Sequence, residues 1–268
     1  MGCIPREELE LMSRLSCNAV HLDSGKLLCR VLSRYLCYVD PADTTLTPHL
    51  CLNGFWESWI TQALSRVATT GQRCIDLGAN YGYYSLLMAQ AVGPSGHVLA
   101  VEPNPRVADL LAQTLELNGF SGWSTIVQAV VTDRSGDQVE LFVSRDHAMN
   151  ASIFGAGQPG AAPIVASTVT VDDLTSEWDR VDLVKVDVEG AEEAAWRGMR
   201  MTLSRNQAIT VILEFNPARQ YDGRALLELM SQEGFRLRHI DYDSHVKDLD
   251  VDDCLSRPGD WMLFLRRM

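Results

Sequence analysis

"CIDLGANYGYY", Cys74 to Tyr84, is an apolar run that breaks at Gly78 and resumes in a helix-like pattern, with Asp76, Gly78, Asn80 and Gly82 at every second position. An apolar strand running into an aspartate, then small residues and a helix, has the geometry of a nucleotide-binding turn. Glycines at 78 and 82 permit positive φ and let a ligand touch the backbone. The free N–H groups of a helix starting near Gly82 attract an anionic group. A nicotinamide fingerprint would read GxGxxG, but here Asn80 stands at the middle glycine and bulky Tyr83 follows Gly82. Both departures count against an NAD-dependent oxidoreductase.

Outward from this turn, from about residue 71 to the C-terminus, short β-branched runs alternate with amphipathic stretches, the pattern of a parallel sheet with crossover helices. Strands are expected at "RCIDLG", "HVLAVEP", "STIVQAVV", "VDLVKVDV", "AITVILEF", "FRLRHIDY" and "WMLFLRR". Helices fit "YYSLLMAQAVG", "RVADLLAQTLELNG" and "GRALLELMSQEG", which end at Gly93, Gly119 and Gly234. No helix separates the last two strands in this reading, so the seventh is expected as an antiparallel edge hairpin. Residues 1–70 read as a helical segment: "PREELELMSRLSCNAVHL", "GKLLCRVLSRYLCYV" and "WESWITQALSRVA" carry apolar residues at three- and four-residue spacing. That segment either caps the mouth of the α/β domain or packs against its side. The stretch Ser144 to Ser167, rich in Gly, Ala and Pro, is long for a connection and is expected to be a mobile lid or disordered.

The second strand adds a clue. "VLAVEP" places Glu102 at its carboxyl end, twenty positions beyond Gly82, where a carboxylate takes both hydroxyls of a ribose and repels a phosphorylated one. Together, "DLGANYGYYSLLMA", "AVEPNP" and "DLVKVDVEGAEEAAWRG" resemble the motifs of class I S-adenosylmethionine-dependent methyltransferases, and among them those of the FkbM family. "KVDVEGAE" is the most distinctive part, and "FWESWITQAL" is a looser likeness just upstream. The resemblance implies a Rossmann-like, seven-stranded, mostly parallel sheet, S-adenosyl-L-methionine at the ends of the first three strands, and methylation of an oxygen, often a hydroxyl of a sugar or secondary metabolite. Carried over by residue, it implies Asp76, Gly78, Asn80 and Gly82 as the cofactor loop, Glu102 as the ribose ligand, and Gln128, Ala129 and Val130 as the wall beside the adenine. A cationic amine and sulfonium suit Asp76 or Asp187 and the faces of Tyr81 or Tyr83, while Tyr84 is assigned to packing of the helix on the sheet.

Ligands of open α/β sheets bind beyond the carboxyl ends of strands where strand order reverses, so the first and fourth strands should flank the crevice. "DLVKVDVEG" delivers Asp187 and Glu189 there, and "VILEFNP" delivers Glu214 and Asn216. An alcohol is a poor nucleophile until a carboxylate, an imidazole or a metal relieves it of its proton. Asp187 is the first choice for that base, then Glu214, then His245 in the loop before the last strand. Alternatively Asp187, Glu214 and Asn216 hold Mg²⁺, since hard oxygen donors suit it. The six aspartates between Asp241 and Asp253 form a hydrated surface rather than an EF-hand, because Asp253 occupies the glycine position and Gly259 the terminal glutamate position.

Composition narrows the acceptor. A net charge of −12 over 268 residues opposes sequence-independent attraction to nucleic acid, and "DVEG" stands where an amino-methylating enzyme would carry a motif like "NPPY". No stretch is long and apolar enough for a membrane span, and the acidic first residues do not make a signal peptide, so a cytoplasmic protein is expected. Pro5 and Arg6 depart from a myristoylation pattern. Cysteines at 3, 17, 29, 37, 51, 74 and 254 contain no CxxC pair and read as reduced structural thiols. The expectation is therefore an O-methyltransferase acting on a small or medium-sized hydroxylated molecule. The rivals are an inactive cofactor-binding scaffold and a methyltransferase with a non-hydroxyl acceptor.

Overall fold

The computed structural model describes residues 4–22, 25–144 and 161–267. It opens with helix α1 (Arg6–Ser16), strands β1 (Ala19–Leu22), β2 (Lys26–Val31) and β3 (Tyr35–Val39), and helices α2 (Leu46–Asn53) and α3 (Ser58–Val67). The helical reading of residues 1–70 therefore holds at α1, α2 and α3 but fails from Ala19 to Val39, where β1, β2 and β3 form an antiparallel sheet. Cys29, Val31, Tyr35, Cys37 and Val39 are all buried, an every-second-residue rhythm that short apolar runs share with a helix. The β2–β3 turn runs through Leu32 (φ +52) and Ser33 (φ +59), positions where hairpins ordinarily show Gly, Asn or Asp.

The α/β part follows with β4 (Arg73–Leu77), α4 (Tyr83–Val92), β5 (His97–Val101), α5 (Pro105–Leu117), β6 (Ser124–Val127), β7 (Val130–Val131), β8 (Gln138–Ser144), β9 (Ala161–Val169) and α6 (Val171–Leu174). Then come β10 (Leu183–Val186), α7 (Glu192–Arg197), α8 (Arg200–Arg205), β11 (Thr210–Phe215), α9 (Gly223–Gln232), β12 (Phe235–Arg236), β13 (Arg238–Ile240), β14 (Val246–Asp248), α10 (Val251–Ser256) and β15 (Trp261–Arg267). The main sheet has the order β14-β13-β15-β11-β10-β4-β5-β6, with β12 also on β15. Strands β6, β5, β4, β10 and β11 are parallel to one another. The chain fills the sheet outward from β4 to β6, then crosses back to lay β10 on the other side of β4. The topological switch thus lies between β4 and β10, where α/β sheets open a ligand crevice.

Strand β15 is antiparallel to β11, as expected, but it is inserted between β11 and β13 rather than placed at the edge, and α10 precedes it. Its residues Met262 to Leu265 are buried, which an edge position would not achieve. "STIVQAVV" is two strands: β6 stays in the main sheet while β7 joins β9 and β8 in a small second sheet. "FRLRHIDY" is likewise divided into β12 and β13. Of the stretch expected as a lid, residues 161–167 belong to β9, paired antiparallel with β8, and 145–160 lie outside the described residues.

Burial explains the strand set. In β4, Cys74, Ile75 and Leu77 have no exposed surface, the continuous burial of a parallel strand covered on both faces. Each such aliphatic side chain stabilises the fold by roughly 1.5–3 kcal/mol. Helix α5 starts where Asn104 Oδ1 accepts from Arg106 N at 3.1 Å, with Pro105 in the first turn, a favoured start. One buried cluster joins Leu9, Val31, Leu50 and Leu64 of the N-terminal segment to Tyr81, Leu86, Leu111 and Leu115 around α4 and α5. The segment thus shares its interior with α4 and α5. Among the described residues no helix is long and apolar enough to cross a membrane.

Candidate active site

The crevice at the switch point encloses about 830 Å³, including its open mouth, and is lined by Gly78, Ala79 and Asn80 after β4, Glu102 and Pro103 after β5, Ala129 to Val131, and Lys185 to Glu189 around the end of β10. Tyr83, Tyr84, Trp56 and Leu46 close one side. The backbone makes the turn tight. Gly78 has φ +75, and a Cβ there would sit 1.7 Å from the Asp187 carbonyl oxygen, so glycine is demanded by the approach of the β4 and β10 ends. Asn80 takes φ +49, a left-handed conformation that Asn tolerates, and its Oδ1 accepts from Tyr81 N at 2.7 Å. Gly82, at φ +91, serves packing: a Cβ would meet Leu111 Cδ1 at 2.5 Å.

Glu102 is held by the backbone. Its Oε2 accepts from Asn80 N at 3.0 Å and its Oε1 from Asn104 N at 2.9 Å. Each oxygen keeps a lone pair for a further donor, an arrangement that matches a vicinal diol. Burial pushes the Glu102 carboxyl up to about 7, and the two amide bonds only partly offset this. Apolar Val101, Pro103, Ala129, Val130 and Leu141 line the adjoining wall, which suits a flat heterocycle. Gln128 is exposed and off that wall, because the chain leaves the main sheet there.

The other end of the crevice is acidic. Lys185, 1% exposed, donates from Nζ to Asp187 Oδ2 at 2.9 Å and lies 4.6 Å from the centre of the Tyr84 ring. Burial opposes its charge, yet Asp187 and Asp76 outweigh that and raise its pKa. Asp76 does not line the crevice. It is 1% exposed, accepts from Ser85 Oγ at 2.6 Å, and has an Oδ1 with no hydrogen-bond partner among the described residues. Burial raises its pKa while Lys185 opposes the rise. Asp76 thus supports Lys185 from behind.

Asp187, Glu189 and Glu214 bring carboxylate oxygens within 4.8 Å of one another. Arg219 clamps two of them, donating from Nη2 to Glu189 at 2.7 Å and to Glu214 at 3.3 Å. Burial, then Asp187, raises the pKa of both Glu189 and Glu214. Asn216, read from sequence as a metal ligand, donates to Asp260 at 2.7 Å and accepts from Ala218 N at 2.9 Å.

Beside Glu214 lies a second cavity of about 910 Å³, including its open mouth, walled by Glu57, Trp59, Glu214, His239, Asp241, Tyr242, Arg257, Asp260 and Trp261 among others. Tyr84, on the first crevice, donates its hydroxyl to Glu57 Oε2 at 2.7 Å on the second, so one hydrogen-bonded pair spans the wall between the two spaces.

Two other residues read as site candidates lie elsewhere. Tyr81 is fully buried beside Asp40 and Asp43, away from the crevice lining. His245 is exposed in the β13–β14 turn, where its N–H donates to Asp241 Oδ1 at 2.8 Å, and it lines neither cavity. Conversely, Lys185 and Tyr84 line the crevice, Glu57 lines the second cavity and Arg219 holds Glu189 and Glu214, although sequence reasoning singled out none of Lys185, Glu57 and Arg219 and assigned Tyr84 to packing. A lysine inside the buried run "LVKV" was the one available signal, since a fully buried ammonium demands partners.

The profile of the Methyltransferase FkbM domain matches residues 76–237. A protein-L-isoaspartate O-methyltransferase of Aeropyrum pernix is 42% identical over 65 residues, 24% of each chain. Methyltransferase sdnD of Sordaria araneosa is 27% identical over 154 residues, 47% of this chain and 59% of that one. The matches thus span about a quarter to three-fifths of these relatives' length. The crystal structure of Trm5b from Pyrococcus abyssi superposes with a TM-score of 0.51 at 12% identity, covering 92% of this chain and 57% of that one, a likeness of fold. The matched region is more than half of the chain, and the chain belongs to the FkbM family of S-adenosylmethionine-dependent methyltransferases.

Proposed function

We propose that this protein transfers a methyl group from S-adenosylmethionine to a hydroxyl oxygen of a small or medium-sized molecule such as a sugar, glycoside or other secondary metabolite. The observation that carries the reading is a diol-matching carboxylate, Glu102, at one end of a crevice whose other end holds Asp187 and Glu189, with a Glu214 carboxylate oxygen within 4.8 Å of theirs on the second cavity. When bound, the cofactor supplies an electrophilic methyl carbon on a sulfonium. In this reading Glu102 takes the ribose hydroxyls, and Asn80, Ala129 and Val130 border the nucleoside. Asp187 lies on the side that favours the ligand's cationic groups, with Lys185 and Asp76 fixing its position. Glu214 faces the acceptor side.

A divalent ion does not fit this arrangement. Lys185 takes Asp187, Arg219 takes Glu189 and Glu214, and the Asn216 carbonyl is bound to Ala218 N, so the three carboxylates already face two cations. The proposal therefore routes nothing through Mg²⁺. The net charge of −12 favours a small acceptor over nucleic acid. Calorimetry with S-adenosylhomocysteine should give saturable heat on folded protein, and labelled methyl donor should pass label to hydroxylated acceptors. Absence of any heat would reject the reading, while binding without transfer across an acceptor panel would favour the inactive scaffold.

A further inference from the structure

We propose that Glu57, supplied by the N-terminal segment, is the proton acceptor for a hydroxylated ring that enters through the second cavity and presents its hydroxyl to the donor crevice beside the Tyr84–Glu57 pair. The assignment rests on the donor reading above and concerns a residue outside the matched family region, 76–237. It begins from the partners of five carboxylates. Asp187 takes the Lys185 ammonium, Glu189 and Glu214 share the Arg219 guanidinium, and Asp260 accepts from the Asn216 amide. Glu57 has only a neutral donor, the Tyr84 phenol, and among the described residues no hydrogen bond reaches its Oε1. A base must have a lone pair to offer; Asp260, whose one donor is also neutral, is exposed, so of the five Glu57 is the one that is both sheltered from solvent and not paired with a cation.

Basicity and placement agree with this. Burial pushes the Glu57 carboxyl up to about 6 against the lowering pull of the Tyr84 hydrogen bond, leaving it ionised at neutral pH yet a better base than an ordinary glutamate. The residue is fixed by the chain: it precedes the first turn of α3 with φ +35. The neighbouring Thr61 N–H donates to its carbonyl at 2.9 Å, which anchors that turn.

The second cavity fits a hydroxylated ring. Trp59 and Tyr242 meet edge to face at 4.8 Å, and Trp261 packs against His239 at 5.2 Å. They supply flat apolar faces, while Asp260 and Glu214 supply acceptors for hydroxyls, the mix of apolar wall and few polar groups that orients small ligands. In the transfer step the acceptor oxygen forms its bond to the methyl carbon as its proton passes to Glu57. The C–S bond breaks with its electron pair on sulfur, turning the sulfonium into a neutral thioether. Glu57 then releases its proton to water through the second cavity.

The test compares wild type, Glu57→Gln and Glu57→Asp, each loaded with S-adenosylhomocysteine, with methyl α-D-glucopyranoside as the ring probe and tryptophan fluorescence as the readout. Calorimetry should find S-adenosylhomocysteine affinity in Glu57→Gln within about threefold of wild type, since Glu57 is off the donor crevice. Glycoside binding to wild type should strengthen as pH rises through about 6. Glu57→Gln should bind it about tenfold more weakly and with a smaller step, having lost one charged acceptor while Glu189 and Glu214, whose pKa values burial also raises, still titrate. Glu57→Asp should restore the step at a shifted midpoint, and it carries the test if the Gln variant fails to fold. A glycoside response identical in wild type and Glu57→Gln, or no saturable response in wild type, overturns the assignment. Failure of wild type to bind S-adenosylhomocysteine would instead bring down the donor reading beneath it.

Discussion

Replacing Glu102 by Gln probes the nucleoside end of the crevice with a nearly isosteric change. The wild-type carboxylate accepts one backbone N–H on each oxygen, from Asn104 and Asn80 at 2.9 and 3.0 Å. A glutamine offers a single carbonyl oxygen, so one of those N–H groups faces an NH₂ instead. The same change removes the charge that receives the ligand's hydroxyls, and a hydrogen bond to a charged group is worth about 1.5–3 kcal/mol. Affinity for S-adenosylhomocysteine, read by calorimetry at about pH 8, should therefore fall roughly 10- to 150-fold. A pH series sharpens the test. Burial holds the Glu102 carboxyl up to about 7, and the ligand favours the ionised form. Wild-type affinity should weaken, by up to about tenfold per pH unit, as pH falls below that value. Glu102→Gln should show a smaller step there, the remainder coming from Glu189 on the same crevice, whose carboxyl burial also holds up to about 7. Equal affinities for the two proteins, or a wild-type affinity that is flat between about pH 6 and 8, would refute the assignment of Glu102 to the diol.

Gly78→Ala should open the site from within. The new Cβ would lie 1.7 Å from the Asp187 carbonyl oxygen at a φ of +75, so a loss of about 4 kcal/mol and a fall of roughly 8–16 °C in calorimetric Tm are expected. A shift under about 2 °C would contradict the contact. Lys185→Met removes the cation that Asp187 and Asp76 surround. Denaturant unfolding should show a loss of about 3–5 kcal/mol, partly recovered by adding Asp187→Asn, and a gain in stability would refute the pairing. Glu57 and Glu102 have pKa values raised from 4.5 to about 6 and about 7, so the native state holds more protons than the unfolded one in that window. Their contribution to stability is complete below about 4.5 and lost as pH rises to about 7. Relative to wild type, Glu57→Gln and Glu102→Gln should accordingly gain in thermal midpoint between about pH 5 and 8, the difference cancelling the opposite trend from His97 and His239, whose pKa values burial lowers.

The sheet was legible because its strands are buried on both faces and separated by helices with clear stops. Runs such as "RCIDL" and "TVILEF" admit few other readings. The turn after β4 and the carboxylate after β5 were legible for the same reason, since local geometry at Gly78 and Glu102 dictates residue type. The N-terminal hairpin was not, because Leu32 and Ser33 adopt positive φ without any turn residue to announce it. The charge network was hidden for a different reason. Lys185, Arg219 and Glu57 come together from points far apart along the chain, and only the strand order brings them to one place. Gln128 and His245 show the converse: correct neighbours in sequence, carried away by a change of sheet and by a solvent-facing turn.

The interlocked apolar cluster that ties Leu9, Val31 and Leu64 to Leu86 and Leu111 bears on protein engineering. Grafting the first seventy residues from a homologue to retune selectivity would exchange half of a shared interior, leaving the host helices facing unfamiliar shapes. Chimeras of this protein would therefore need their junctions drawn along packing partners, with α4 and α5 travelling alongside the graft, instead of at the apparent seam in the chain.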